Sequence, residues 1–515
     1  MLTGTAGQAE ELLAKLGFVS WRPGQREAVE AALEGRDSLI VMPTGGGKSL
    51  CYQLPGLATE DLTIVVSPLI ALMNDQWRRL TAAGHPVAMI SSGMSAEAAR
   101  AALDQVRGGG ARIVYCSPER FGSTVFLDAL AQRRIDLLAV DEAHCVSEWG
   151  HDFRPDYLRL PEIAERLGRP AVMACTATAT KAVAAEIVSR FGLREPLQVR
   201  SGFDRPNLSF DVVQLEGKGS KARRLALLEA GLAEPENRPA IVYCGTRRDT
   251  DEVAELLRGA GLRALAYHAG MEAGDRTEAQ RRFMEGEAEV VVATNAFGMG
   301  VDKADVRSVW HMAIPTSLEA YYQEAGRGGR DGLPAKAVLL AMRADLGRLV
   351  RFNEQRSGDP ELAIAHERGW RDYRTIKAFI YSERCRRRSV LDHFGDREAG
   401  RPLGRCCDVC DPEGWLPDPE TIAVRPPSRA KAPAAPPAEL SEADAPLFER
   451  LKEWRLEAAD GKPAFTVAHN STLAAIAASR PIDEASLAAI RGIGPSFIAK
   501  HAPEVLALVA THPPN

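Results

Sequence analysis

Short apolar runs alternate with helix-length stretches of mixed polarity up to about residue 345, and the alternation occurs in two series. The first comprises Ser38–Met42, Thr63–Ser67, Arg112–Cys116, Ile135–Asp141 and Ala171–Thr176. The second comprises Ala240–Cys244, Arg263–Tyr267, Glu289–Thr294, Ser308–Met312 and Ala335–Leu340. Strands buried on both faces read as continuous apolar runs, and their alternation with helices builds doubly wound parallel sheets. Two series therefore predict an α/β chain with two lobes. In such open sheets ligands bind where the strands end, so the residues just after each run are the ones to search for chemistry.

The opening strand leads into MPTGGGKSLCYQLP, Met42–Pro55, with Thr44, Gly45, Gly46 and Gly47 before the lysine. Consecutive glycines let backbone N–H groups close around phosphate oxygens at a helix start. Lys48 adds a cation, and the Ser49 hydroxyl can ligate Mg²⁺. The strict pattern has a glycine six residues before the lysine, where this chain has Met42. Taken alone, the loop could also be a glycine-rich turn before an ordinary helix. Asp141 and Glu142 at the end of a later strand favour the phosphate reading: Asp141 is expected to hold Mg²⁺ and Glu142 to orient or deprotonate an attacking water.

The second series has no phosphate loop. It offers SLEAYYQEAGRGGRDG, Ser317–Gly332, in which Arg327 and Arg330 are three apart and are expected to share one helical face. An arginine reaching a γ-phosphate from another lobe is worth roughly 10³–10⁵ in rate. Directly after the acids, DEAHCVSEWGHDFRPDY sets aromatic and basic side chains beside the hydrolytic pair. Trp149 and Phe153 can stack on bases at about 1–3 kcal/mol each, and His151 and Arg154 can meet phosphates or bases. An isolated tryptophan is commonly a core anchor, but the glycine and proline flanks favour an exposed loop.

A length of 515 residues predicts about three to four domains, and an apolar fraction of 45% allows each a core. No stretch approaches the roughly 18 uncharged apolar residues of a membrane span, and the N-terminus lacks a signal-peptide pattern. A cytoplasmic protein, nucleoid-associated if bacterial and without a membrane partner, is the expectation. Nine cysteines, an odd number, argue against a disulfide framework. Cys51, Cys116, Cys145, Cys175 and Cys244 read as small buried hydrophobes. The net charge of −5 speaks against a generic polyanion binder and leaves local basic grooves. The clusters Arg78–Arg79, Arg247–Arg248, Arg281–Arg282 and Arg384 with Arg386–Arg388 read as solvated helix faces.

From about Lys15 to Cys410, with a separate match in the tail, the chain resembles a RecQ-type DNA helicase of superfamily two. The resemblance implies two RecA-like doubly wound parallel-sheet lobes, then a helical zinc-binding module and a small C-terminal helical bundle. LGFVSWRPGQREAV, Leu16–Val29, resembles the family's adenine-reading segment, implying that Gln25 hydrogen-bonds the base and that Arg22 or a neighbour packs on it. VVSPLIALMNDQ, Val65–Gln76, and CTATAT, Cys175–Thr180, resemble strand-tracking and coupling motifs. FDRPNL, Phe203–Leu208, falls at the lobe junction. AIVYCGTR, Ala240–Arg247, and VATNAFGMGVDKADVR, Val292–Arg307, resemble motifs for backbone contact and nucleotide sensing. By the same resemblance Asp302 lies near the nucleotide and Gln323 near the γ-phosphate. Glu148 stands where many relatives have glutamine.

Cys385, Cys406, Cys407 and Cys410 supply four thiolates, which suit tetrahedral structural Zn²⁺. Neighbouring side chains tend to diverge, so Cys406 and Cys407 are an awkward pair, and His393 is the alternative fourth ligand. Many relatives space the last three cysteines as Cys-x-x-Cys-x-x-Cys, whereas this chain has Gly404 where the second would fall. Residues 413–440 are rich in proline and alanine and read as a semi-extended linker, in place of the winged-helix domain of fuller relatives. The tail resembles the HRDC module. Its Leu447, Leu451, Trp454 and Ala458 follow helical spacing, and Gly492-Ile493-Gly494 before a helix resembles a hairpin that approaches a DNA backbone, in which Lys500 could meet phosphate; a structural helix turn with no ligand is the equal alternative. The expected domains are 1–205, first lobe; 206–345, second lobe; 346–412, zinc module; 413–440, linker; and 441–515, helical tail.

The resemblance thus implies an ATP-dependent DNA helicase and translocase of repair and recombination, moving 3′ to 5′ on single strands. ATP, Mg²⁺ and structural Zn²⁺ are its cofactors. Single-stranded, tailed or forked duplex DNA is its partner, and a monomer is expected. An RNA-remodelling DEAH-like ATPase and a regulatory nucleic-acid clamp with weak unwinding are the alternatives.

Overall fold

The computed structural model describes residues 9–11, 13–14, 16–43, 45–147, 153–298, 303–357, 359, 362–397, 399–424, 444–458, 467–468, 470–488, 490, 493 and 495–512. The chain divides into two compact units, Met1–Val424 and Arg425–Asn515.

The first unit contains two sheets. β1 Ser38–Val41, β2 Leu62–Val66, β3 Val87–Ile90, β4 Ile113–Cys116, β5 Ile135–Val140, β6 Ala171–Thr176 and β7 Leu197–Arg200 form a seven-stranded sheet in the order β3-β4-β2-β5-β6-β1-β7. β8 Leu208–Leu215, β9 Ala240–Tyr243, β10 Ala264–Tyr267, β11 Val290–Ala293, β12 Ser308–His311 and β13 Ala335–Met342 form a six-stranded sheet in the order β10-β11-β9-β12-β13-β8. The neighbouring strands pair in parallel, as the apolar runs predict. β6 lies between β1 and β5, with Ile40 opposite Cys175 and Ala174 opposite Val140, so the phosphate loop and the acids leave the same sheet edge one strand apart.

Three strands, β3, β7 and β8, are absent from the sequence reading. β7 is an edge strand with exposed positions and little apolar signal. β8 carries Asp211 in its middle, which interrupts an apolar run on paper. In the fold Asp211 is buried, with its carboxylate accepting from Arg405 Nε at 2.8 Å and Trp415 Nε1 at 3.3 Å. Those partners lie about two hundred residues away in sequence.

After β13, helices Arg343–Glu354 and Ala363–Tyr381 lead to helix Arg386–Phe394 and the cysteine cluster. Here two expectations need correction. Arg386 and Arg387 are buried, not solvated: Arg386 pairs with Asp408 at 3.0 Å, and Arg387 pairs with Asp204 of the lobe junction. The linker also does not begin at residue 413. Trp415, Leu416 and Ile422 pack on the core of the second lobe; the Trp415 ring meets Trp310 at 5.7 Å between centroids and carries Lys336 Nζ at 4.2 Å over its face. Three apolar side chains among the prolines are enough to dock a segment that composition classes as linker.

The second unit is helical, with Ala445–Ala458, Asn470–Ser479, Glu484–Ala488 and Pro495–Ala510. Leu447, Leu451, Trp454, Leu473, Ile476 and Val505 form its core, and Trp454 Nε1 donates to Glu504 at 2.9 Å. Lys500 is exposed on the last helix, while Gly492 and Gly494 lie outside the described residues. Among the described residues no helix is long and apolar enough to cross a membrane.

Candidate nucleotide site and zinc centre

β1 ends at Val41 and the chain turns through Gly45 and Gly47 into helix Lys48–Ala58. Gly47 has φ 84°, and a Cβ there would stand 2.2 Å from Gln25 Nε2, so glycine is required for both conformation and space. Met42, where the strict pattern has glycine, is fully buried and turns its carbonyl to Lys48 Nζ at 3.0 Å. Gln25 Nε2 donates to the Gly47 carbonyl at 3.1 Å, and the Arg22 guanidinium donates to that of Gly45. The Leu16–Val29 segment therefore grips the loop backbone directly. Thr44 lies outside the described residues.

The acids follow β5. Asp141 is buried, and burial, then the neighbouring Glu142 carboxylate, push its carboxyl up to about 7, while Lys48 pulls the other way. A hydroxyl and a buried carboxylate short of positive charge are hard oxygen donors suited to Mg²⁺. Glu142 occupies the left-handed region at φ 49°, a conformation that costs a non-glycine residue on the order of 1–3 kcal/mol. The Asp141 carboxylate holds it by accepting from Glu142 N at 3.0 Å, and Tyr157 Oη donates to the Asp141 carbonyl at 2.9 Å. His144 Nδ1 lies 3.3 Å from Glu142 Oε2 and 2.9 Å from Thr176 Oγ1, joining the acids to the CTATAT segment.

The arginines depart from the expected arrangement. Helix Leu318–Ala325 ends before them, because Gly326, Gly328 and Gly329 unwind the chain into a turn. Arg327 and Arg330 therefore share no helical face. Arg327 is buried in the second lobe against Gly298 and Tyr243, whereas the Arg330 side chain lies against Gly45 of the phosphate loop. Gln323 sits half-buried on the preceding helix. Two residues that sequence reasoning missed brace this turn. Arg205 donates to the carbonyls of Gly326, Gly328 and Gly329 at 3.0, 2.6 and 3.0 Å, and Asn207 Nδ2 donates to that of Gly329 at 2.7 Å. Their signal was the junction motif FDRPNL, whose polar members had no assigned task.

In the aromatic loop, Phe153 and Arg154 are half-buried, with Arg154 N donating to the Cys145 carbonyl at 2.9 Å. Trp149 and His151 lie outside the described residues, as does Asp302. The loop's first anchor is Ser147, whose Oγ donates to Glu186 Oε2 at 2.5 Å.

The sulfurs of Cys385, Cys406, Cys407 and Cys410 all lie within 4.8 Å of one another. Cys385 Sγ is 3.7 Å from Cys406 Sγ and 4.0 Å from Cys407 Sγ. Zn–S bonds of about 2.3 Å in a tetrahedron put sulfurs about 3.8 Å apart, so the cluster fits zinc. The adjacent pair converges because Phe210 of β8 pins its backbone: Phe210 N donates to the Cys406 carbonyl at 3.1 Å, and Phe210 bridges Cys407. His393, the alternative ligand, instead hydrogen-bonds Glu319 through Nε2 at 2.8 Å.

Two parallel-sheet lobes, one with a phosphate loop and the other with an arginine laid against it, define the core of a superfamily-two helicase. Family models match in the same order: DEAD/DEAH box helicase over residues 22–187, helicase conserved C-terminal domain over 221–332, RecQ zinc-binding over 343–411 and HRDC domain over 444–509. The chain belongs to the RecQ family. It is 39% identical over 407 residues to the ATP-dependent DNA helicase RecQ of Bacillus subtilis, covering 78% of this chain and 67% of that protein. It is also 39% identical over 399 residues to that of Pasteurella multocida, covering 78% of this chain and 61% of the relative. The chain thus spans about three fifths to two thirds of the length of these curated relatives. Among solved structures, helicase MrfA bound to DNA shares the fold at 19% identity and TM-score 0.56, over 69% of this chain and 54% of that one. Mycobacterium smegmatis helicase Lhr bound to single-stranded DNA and AMP-PNP does so at 23% and 0.51, over 68% and 50%.

Proposed function

We propose that the chain is an ATP- and Mg²⁺-dependent DNA helicase that translocates 3′ to 5′ on single strands and opens tailed or forked duplexes. The observation that carries the reading is the Arg330 side chain of one lobe against Gly45 in the phosphate loop of the other. That juxtaposition couples lobe closure to the nucleotide. The family membership supports DNA as the track.

Lys48 leaves the carbonyls of Met42 and Pro43 to meet phosphate oxygens. Ser49 and Asp141 would hold Mg²⁺, which neutralises phosphate charge when bound. Glu142 orients the attacking water and accepts its proton, and Arg330, with Arg327 behind it, stabilises the charge on the transferred group. Gln25 and Arg22 read the adenine, and Asp302 and Gln323 complete the nucleotide pocket. Trp149 and Phe153 stack on bases, with His151 and Arg154 on the strand. Lys500 of the helical tail contacts phosphate. Cys385, Cys406, Cys407 and Cys410 hold structural Zn²⁺. The domain limits at 205, 345 and 440, a monomeric state, action in repair and recombination and a cytoplasmic location complete the reading.

Strand displacement on 3′-tailed and forked duplexes tests it, with 5′-tailed and RNA substrates beside them. Unwinding of 3′-tailed DNA is expected, and Lys48→Ala is expected to abolish DNA-stimulated ATPase while leaving DNA binding largely intact. Stimulation by RNA rather than DNA would indicate an RNA-remodelling ATPase. Retained turnover in Lys48→Ala would refute the site assignment.

A further inference from the structure

Ser49 is held from behind by a residue of another element. Gln76, buried on helix Ile70–Ala82, donates through Nε2 to Ser49 Oγ at 3.1 Å. Its Oε1 accepts from Tyr52 Oη at 3.1 Å and from Gln53 Nε2 at 3.2 Å, and Gln53 Nε2 also reaches Tyr115 Oη at 3.0 Å. These partners decide which way the carboxamide faces. With Tyr52 Oη and Gln53 Nε2 both donating to its oxygen, Gln76 turns its nitrogen to Ser49. Tyr52 and Ser49 thus meet the two ends of one carboxamide beside the phosphate loop.

A serine oxygen has two lone pairs. One is occupied by the Gln76 N–H, which leaves the other facing away from Gln76. We propose that Gln76 is a positioning residue for the Mg²⁺ site, orienting the Ser49 hydroxyl so that its remaining lone pair faces the cation; this rests on the reading of Ser49 as a Mg²⁺ ligand. A side chain that fixes a metal ligand from behind typically carries 10- to 100-fold in metal affinity or activity. An amide that merely filled the core would carry stability without cation dependence.

The test is a Mg²⁺ titration of fluorescent ADP binding to the full chain, with thermal melting alongside. Gln76→Met keeps the side-chain volume and removes the donor. Its Mg²⁺ midpoint is expected to rise about tenfold, with Mg²⁺-free ADP affinity unchanged. Gln76→Asn, which draws the amide back out of reach of Ser49 but keeps its polarity, should show the same shift if the methionine variant does not fold. Gln53→Met removes a partner of Gln76 and leaves the bond to Ser49, so it should lower the melting temperature without moving the midpoint. In a Ser49→Ala background, Gln76→Met should add no further shift. A wild-type midpoint in both Gln76 variants, or an equal loss with and without Mg²⁺, overturns the inference. Ser49→Ala separates the two readings: if it moves the midpoint and the Gln76 variants do not, only the role of Gln76 falls. An unmoved midpoint in Ser49→Ala removes the metal-ligand reading and this inference with it.

Discussion

The Arg330 side chain of the second lobe lies against Gly45 of the first, so close that a methyl group on Gly45 would stand 3.4 Å from Arg330 Cγ. A guanidinium so placed reaches phosphate held by the loop only while the lobes are together. Arg330→Ala is expected to lower kcat of DNA-stimulated ATPase by about 10³ or more, with a much smaller change in KM for ATP. Steady-state kinetics check it; a kcat within tenfold of wild type would place the transition-state charge elsewhere.

Zinc removal should be felt in a strand as well as in the cysteine cluster. Phe210 of β8 is tied to the backbone of Cys406 and Cys407, so Cys407→Ser is expected to lose bound zinc and to raise hydrogen exchange at Phe210–Val212. The amides of β9 and β11, inside the sheet, should be spared. Metal analysis and exchange by mass spectrometry read the two effects, and unchanged exchange after zinc loss would uncouple cluster and strand.

Trp415 offers three separable contacts: the edge-to-face pair with Trp310, the cation of Lys336 over its ring, and the hydrogen bond to Asp211. Their loss in Trp415→Ala should cost roughly 2–3 kcal/mol. The variant should also become sensitive to protease between residues 412 and 424. Denaturant unfolding measures the cost, and a wild-type midpoint would mean that the segment only rests on the lobe.

Asp372 makes stability depend on pH. Burial, then the charge of Glu319, raise its carboxyl from 3.8 to about 6, against the pull of Arg371. The folded state therefore holds the proton more tightly than the unfolded chain. Stability from this group is full below about pH 4 and is lost as pH rises through 6, by about 3 kcal/mol in total. Asp372→Asn, neutral throughout, should gain on wild type between pH 4 and pH 8. Melting curves at the two pH values test it; a difference that does not change with pH would place the perturbation elsewhere.

Much of the molecule was legible in the chain itself. Apolar runs such as Ile135–Val140 and Ala171–Thr176 announce buried parallel strands, and the glycines before Lys48 announce a turn that few other residues could make, because each depends on chemistry within a few positions. Only the tertiary structure decided that Arg327 and Arg330 point to different lobes, that Asp211 is tolerated in β8, that Cys406 and Cys407 converge, and that Trp415 docks. Each of these depends on a partner supplied from far along the chain: Arg205 and Asn207 for the arginine turn, Arg405 for Asp211, Phe210 for the cysteines and Trp310 for Trp415. Local periodicity and turn chemistry are written in neighbouring residues, whereas the satisfaction of a buried charge or an exposed aromatic face is settled only when distant segments pack.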